Sequence, residues 1–288
     1  MKQYHVGYVA ITGKPNVGKS TLINTIVKRK VAITSYKPQT TRNEINALYN
    51  DKNSSIMFVD TPGYHNSMNK LDERMNSEIK SAYKKVNCVL LLIDPTRDFT
   101  NEDFNVIKMI KSFSIDSVIL VLTKADITTK YNQKVIDVVK EKIDVNDIVS
   151  ISSLKTINIE TLINVIKTKL PLENKPIENI EDDDDFVISE IIREQIIFNT
   201  QKEVPYSTFV YVESKKFENN LFTIDATIIV EKETQKPIII GAGGQMIKKI
   251  GTQARKELLK IYDCKINLKL FVKVEKDWRN NQHFINSI

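Results

Sequence analysis

Residues 13–20 read GKPNVGKS. Two glycines five positions apart, followed by Lys and Ser, is the spacing of a phosphate-binding loop, and here an apolar strand precedes it and a helical pattern follows. Gly13 and Gly18 let the backbone wrap a phosphate without a Cβ in the way. Lys14, Pro15, Asn16 and Val17 form the wall of the cradle, with Thr21 just behind it. Loop amides and the helix N-terminus aim positive dipoles at the β-phosphate. Lys19 is placed to reach the β- and γ-phosphates, and the Ser20 hydroxyl to ligate Mg²⁺.

Three further stretches decide which nucleotide. DTPG at 60–63 closes an apolar strand. Asp60 would hold Mg²⁺ through water, and the Gly63 amide would sense the γ-phosphate, with Thr61, Pro62 and Tyr64 around them. TKAD at 123–126 closes another strand. Asp126 can accept hydrogen bonds from N1–H and N2–H₂ of guanine, a pair that adenine does not offer, while Lys124 packs along base and ribose. SISSL at 150–154 ends the next strand, so a backbone amide at Ser152 or Ser153 can meet guanine O6. TKAD alone is a weak signal. All four motifs in this order define a site for GTP and GDP.

The hydrolytic machinery is less regular. The segment ITSYKPQTTRNE, 33–44, lies where the first switch belongs. Thr41, with Thr40 as second choice, is the candidate to complete the Mg²⁺ shell in the triphosphate state. Ras-like enzymes orient the attacking water with a Gln just after DxxG, and here that position is Tyr64. Slow intrinsic turnover follows. Lys19, Thr41, Gly63 and Asn16 are the catalytic candidates. Asn16 has two readings: it shapes the loop, or it helps bind K⁺, whose charge would assist the transition state. Most GTPases of this type carry Asn where this chain has Thr123, and that Asn ties the phosphate loop to the base site.

A second glycine loop, IIIGAGGQ, occupies 238–245. Gly241, Ala242, Gly243 and Gly244 form a GxxG, a weak motif alone because glycine often caps helices. Its context strengthens it. A helix carrying Lys248 and Lys249 follows, then a strand with alternating lysines at 265, 269 and 273. In KH domains a GxxG loop clamps the backbone of about four nucleotides. Ile239, Ile240, Ile247 and Ile250 would supply groove floor and core together.

The elements that must position these residues can be read from periodicity. Apolar runs at 8–12, 44–49, 55–60, 87–94, 116–124 and 147–152 read as strands. The near-continuous ones fit strands buried on both faces of a mostly parallel sheet. Helical spacing at 20–27, 71–85, 101–112, 131–143 and 158–169 fills the gaps, giving a doubly wound α/β domain over 1–171. Residues 172–185, with Pro176 and four consecutive aspartates, read as a linker whose last Asp caps the next helix. From 186 to 288 the order is helix, strand, strand, short helix, glycine loop, helix, strand: a smaller α+β domain.

Bulk properties narrow the class. The chain has 288 residues, enough for two cores. No apolar run approaches the roughly 18–20 residues that span a bilayer. The N-terminus has no signal-peptide pattern, so a cytoplasmic, soluble, monomeric protein is expected. Cys88 and Cys264 lie in apolar strand-like runs and read as buried thiols, and the three histidines show no metal spacing. The net charge is +6, yet residues 236–288 carry eleven basic and four acidic side chains, so the excess is all C-terminal. Such a tail suits a polyanion, either nucleic acid or, as the alternative, anionic lipid at a membrane surface.

Over nearly its whole length the chain resembles the Era family of GTPases. The likeness rests on GKPNVGKSTLIN, KPQTTRN, FVDTPGYH, SEIIREQI, EVPYS and IIIGAGGQMIKKIG, the last three outside the G domain. It implies a TrmE-Era-EngA-like G domain followed by a type II KH domain, GTP hydrolysis, and binding near the 3′ end of 16S ribosomal RNA during assembly of the small (30S) subunit. The RNA contacts implied are Ile240, Gly241, Ala242, Gly243, Gly244, Lys248 and Lys249. Members commonly carry Lys where this loop has Ala242.

Overall fold

The computed structural model describes residues 3–30, 45–60, 69–113, 115–127, 132–178 and 183–286. They fall into two compact units, one ending at Ile180 and one running from Glu181 to the C-terminus, the latter also including Asn69–Leu71.

The first unit is built as β1 (Tyr4–Thr12), α1 (Lys19–Val27), β2 (Ile45–Asn50), β3 (Ser54–Asp60), α2 (Lys70–Tyr83), β4 (Cys88–Ile93), α3 (Asn101–Lys111), β5 (Val118–Leu122), α4 (Asn132–Lys140), β6 (Asp147–Ser150), α5 (Ile159–Lys167) and β7 (Leu172–Glu173). The sheet order is β2-β3-β1-β4-β5-β6. β1, β3, β4, β5 and β6 run parallel, and β2 joins β3 antiparallel. Alternation along the strands splits the core in two. Val9, Ile11, Leu90, Leu92 and Ile119 face Leu22, Ile23 and Ile26 of α1 and Leu162, Ile163 and Ile166 of α5. Ala10, Val89, Leu91 and Leu120 face Ile79 of α2, Ile107 and Ile110 of α3 and Val139 of α4. A sheet covered on both faces is what the unbroken apolar runs predict. Cys88 is buried within it, and burial pushes its thiol up to about 12; Cys264 is half-buried.

Part of the expected linker belongs to the sheet. Leu172 and Glu173 pair antiparallel with His5 and Tyr4, and the Ile177 amide donates to Ser55 Oγ. Two residues of strand, both exposed, leave no periodicity to detect. The cap of the next helix also differs from expectation. Asp183, not Asp185, accepts from the Asp185 amide, and α6 (Asp184–Asn199) starts directly after it. Asp184 and Asp185 then occupy the first turn, where the helix dipole favours negative charge.

The second unit continues with α7 (Val204–Ser207), β8 (Phe209–Glu218), β9 (Leu221–Val230), α8 (Lys236–Ile240), α9 (Gln245–Leu258), β10 (Lys265–Val274) and α10 (Gln282–Asn286). Its sheet order is β10-β9-β8, with β10 parallel and β8 antiparallel to β9. Ile188, Ile192 and Ile196 of α6, and Ile250, Ala254 and Leu258 of α9, cover one face over Ile224, Ala226 and Ile228. Trp278 is fully buried and donates from Nε1 to the Ser207 carbonyl; Gln235 donates to Ser207 Oγ. These two bonds anchor the chain after β10 and the entry to α8 to the same turn.

At the strand that leads into the first glycine loop, Gly7 has no room for a side chain. A Cβ there would lie 2.3 Å from Asn87 Oδ1 and 2.9 Å from Leu170 Cδ2. Asn87 cannot yield freely, because Oδ1 accepts from the Tyr8 amide at 2.9 Å and its own amide donates to the Tyr8 carbonyl. Gly7→Ala is therefore expected to destabilise the first unit by about 1–3 kcal/mol, read as a lower denaturant midpoint at unchanged slope.

Candidate nucleotide site and nucleic-acid groove

Parallel strands bring their C-terminal ends to one edge of the sheet, and the loops leaving that edge form the site. The loop after β1 is held tightly. A Cβ on Gly13, whose φ is +155°, would meet the Leu92 carbonyl oxygen at 2.6 Å. Val17 is buried in the core beneath the loop, so its side chain anchors the cradle instead of lining it. Asn16 has φ +64°, a left-handed conformation that Asn tolerates, which supports its loop-shaping role. Gly18 has φ +107° and open space where a Cβ would be.

Lys19 Nζ lies 2.9 Å from the Gly13 carbonyl and 3.3 Å from that of Lys14, so it reaches back across the loop. Desolvation pushes its ammonium below the usual lysine range, and the Asp60 carboxylate opposes that shift. An ammonium drawn down by burial is stabilised by an arriving anion. Ser20 Oγ and Asp60 Oδ2 are 3.4 Å apart, with Asp60 fully buried. A hydroxyl and a carboxylate converging there fit a hard cation such as Mg²⁺, held by oxygen ligands and water. Thr21 receives a bond on its carbonyl from Thr25, which also donates to the Ser153 carbonyl at 3.2 Å.

Lys14 differs from expectation. Its ammonium is buried and donates to Asp103 Oδ2 and to the Asp98 carbonyl, both at 2.8 Å. Its side chain therefore points away from the loop, and only its backbone is available to a phosphate. Pro15 is half-exposed at the turn.

The candidate base-reading motifs lie at the ends of adjacent strands, β5 and β6. Thr123 is buried; its amide and its Oγ1 both donate to the Ile93 carbonyl, at 2.9 and 3.4 Å. Lys124 takes φ +59° and pairs with Asp94 Oδ2 at 2.6 Å. Burial pushes the Asp94 carboxyl up, but hydrogen bonds from Lys124 and Thr96 outweigh it and hold the group below its ordinary range. The Ala125 amide donates to the Ile151 carbonyl, which keeps 123–126 beside 150–153. Asp126 is exposed, and a hydrogen bond from Ser152 lowers its pKa, which favours its ionised, accepting form. Sequence reasoning missed Asp94, Asp98 and Asp103. Their pattern has no motif, because the partners lie 30 to 89 positions away. The candidates Thr40, Thr41, Thr61, Pro62, Gly63 and Tyr64 lie outside the described residues.

In the second unit Gly241, Gly243 and Gly244 have φ of +74°, +57° and +77°. A Cβ on Gly241 would strike Met246 at 2.7 Å, whereas Gly243 and Gly244 face open space. Thus one glycine serves packing and two leave the backbone approachable. Ala242 is exposed between them, and Ile240 is half-buried. Beside the loop, α9 and β10 enclose a groove of about 390 Å³ lined by Ile247, Lys248, Arg255, Ile266, Leu268 and Leu270. Lys249 is exposed but outside that lining. Arg255 was not anticipated; it lies seven positions after Lys248, two helical turns along the same face, a spacing visible in the sequence.

A nucleotide loop on a doubly wound sheet, joined to a small sheet with a GxxG loop, defines a GTPase carrying a nucleic-acid-binding module. Comparison agrees at both ends: residues 8–124 match the family described as 50S ribosome-binding GTPase, and residues 203–279 match the KH domain family. GTPase Era of Ureaplasma parvum is 46% identical over all of this chain and 98% of its own, and GTPase Era of Lactobacillus helveticus 40% over 100% and 96%. The crystal structure of Aquifex aeolicus Era bound to GDP·AlF4⁻ superposes with a TM-score of 0.90 at 35% identity, covering 99% of this chain and 98% of that one. The crystal structure of Era in complex with MgGDPNP and nucleotides 1506–1542 of 16S ribosomal RNA has the same score and identity, covering 98% of each. The chain belongs to the GTPase Era family, and it is a GTP-hydrolysing enzyme.

Replacing Asp126 by Asn exchanges one acceptor for a donor. Guanine then loses a charge-assisted acceptor, while xanthine, with a carbonyl at C2, gains a neutral N–H donor. GDP affinity should fall by about two orders of magnitude and xanthosine diphosphate affinity should rise, measured by competition with a fluorescent GDP analogue.

Proposed function

We propose that this protein is a GTP-controlled factor that binds the 3′ region of 16S ribosomal RNA through its KH domain and assists assembly of the small ribosomal subunit. The observation that carries this reading is the open GxxG backbone beside a groove edged by Lys248 and Arg255, in the same chain as the nucleotide loop. The related Era structure with MgGDPNP and 16S nucleotides supports it. Gly241–Gly244 and Ile240 approach the RNA backbone, and Lys248 and Lys249 neutralise phosphates.

On this reading residues 1–171 hold the nucleotide, 172–185 connect, and 186–288 hold RNA. GTP is held by 13–21, by Asp60 to Tyr64, by Thr123, Lys124 and Asp126, and by Ser152 and Ser153. Ser20, Asp60 and Thr41 hold Mg²⁺, which supplies charge at the β- and γ-phosphate oxygens. Lys19 stabilises the leaving charge, and the Gly63 amide and Thr41 respond to the γ-phosphate. Asn16 adds K⁺ to the site. The protein works as a monomer in the cytoplasm on the subunit precursor.

Binding to a single-stranded RNA copying the 3′ end of 16S ribosomal RNA, titrated with GTP analogue, GDP and no nucleotide, tests the RNA assignment. Tight binding that needs the triphosphate is expected. Gly243→Asp puts a carboxylate where phosphate must approach and should weaken binding at least about tenfold. Equal binding by Gly243→Asp would leave only a basic surface, the behaviour of a lipid-binding face. Potassium is tested separately: turnover should be faster in K⁺ than in Na⁺ at equal ionic strength, and Asn16→Ala should erase the difference. Identical rates in the two salts would remove K⁺ from the mechanism.

A further inference from the structure

The segment from the end of β4 into the first turn of α3, Asp94 to Asp103, touches both halves of the nucleotide site and belongs to none of its motifs. At its start, Asp94 is fully buried and grips Lys124 Nζ at 2.6 Å; Thr96 donates its amide to the same carboxyl and Arg97 Nε lies 3.3 Å away. At its end, Asp103 grips Lys14 Nζ at 2.8 Å, helped by the Asp98 carbonyl. The Asp103 carboxylate also accepts from the Thr100 amide, so the same group caps α3 and holds the phosphate loop. Lys14 and Asp103 have side chains only 7% and 2% exposed, so water neither screens nor replaces this pair.

Thr123 makes no such link. Among the described residues its side-chain bond goes to Ile93, not to the 13–20 loop. The path from phosphate loop to base motif runs instead from Lys14 through Asp103 and Asp98, back along the segment to Asp94, and on to Lys124. We infer that residues 94–103 form a brace that couples the phosphate subsite to the base subsite, with Asp94 and Asp103 as positioning residues for nucleotide retention. This inference rests on the assignment of the 13–20 loop and Lys124 to the nucleotide.

The test is the release rate of a fluorescent GDP analogue from the full chain with Mg²⁺. Asp94→Asn and Lys14→Met should each speed release about fivefold or more. The two substitutions lie at opposite ends of the brace with no side-chain contact between them. If they act through one brace, the double variant should release GDP little faster than the faster single variant. Thermal midpoints of the same proteins separate this from general loosening, since independent structural losses add. Lys14→Arg, which keeps the charge, should restore slow release if the ion pair matters. Release at the wild-type rate in both single variants, or rates that multiply in the double variant, would overturn the brace. Lys19→Ala in the same assay reports on the site itself. Release unchanged by it would sink the assignment and the brace together. Fast release by Lys19→Ala with slow release by the brace variants would sink the brace alone.

Discussion

Both glycine loops share a single constraint: on the proposed function, the peptide backbone must come within hydrogen-bonding distance of a phosphate. A side chain at the point of contact would keep it away, so each loop has glycine there. Gly18, Gly243 and Gly244 leave their outer face open, whereas Gly13 is required by packing under the Leu92 carbonyl. Everything else in each unit serves to hold those few peptides still. Val17 pins one loop into the core from below, and Ile239 and Ile250, both fully buried, pin the other from either side.

Holding the first loop still raises an electrostatic problem. A site for a polyphosphate concentrates cations, and two lysines within six residues of each other repel. The structure resolves this by direction. Lys19 folds inward over the loop carbonyls, while Lys14 is turned outward onto Asp103. One ammonium thus stays over the loop and the other fixes the scaffold. Lys124 is treated in the same manner by Asp94. A pair buried on both sides, as Lys14–Asp103 is, is costly to form but more costly to break, which makes it a geometric fastener more than a source of stability.

The second unit shows the same division of labour with weaker forces. Its groove needs an apolar floor and a charged rim. Strand β10 supplies the floor with Ile266, Leu268 and Leu270, and α9 supplies the rim with Lys248 and Arg255, while Lys265, Lys269 and Lys273 of β10 alternate to the exposed side. The local excess of positive charge therefore coexists with a closed core, because a period of two separates the two roles on one strand.

Much of this was legible before any coordinates. The four nucleotide motifs, the parallel strands and the order of the two domains follow from residue type and spacing, since each rests on a backbone requirement or a short-range period. Family resemblance narrowed the reading further, to a type II KH domain and a GTPase of the Era kind. Other features could be decided only by the tertiary structure. The exposed pair Leu172–Glu173 becomes strand because β4 pairs only with Val9–Thr12 and leaves the start of β1 open on that side, not because its sequence favours one. Asp183 caps α6, with Asp184 and Asp185 in its first turn, although residue type alone does not distinguish the aspartates of this run. The pairings of Lys14, Asp94 and Asp103 are invisible in one dimension, because each partner lies on a different element of the fold. An ion pair between residues distant in sequence leaves no period and no motif; only the folded chain brings its two halves together.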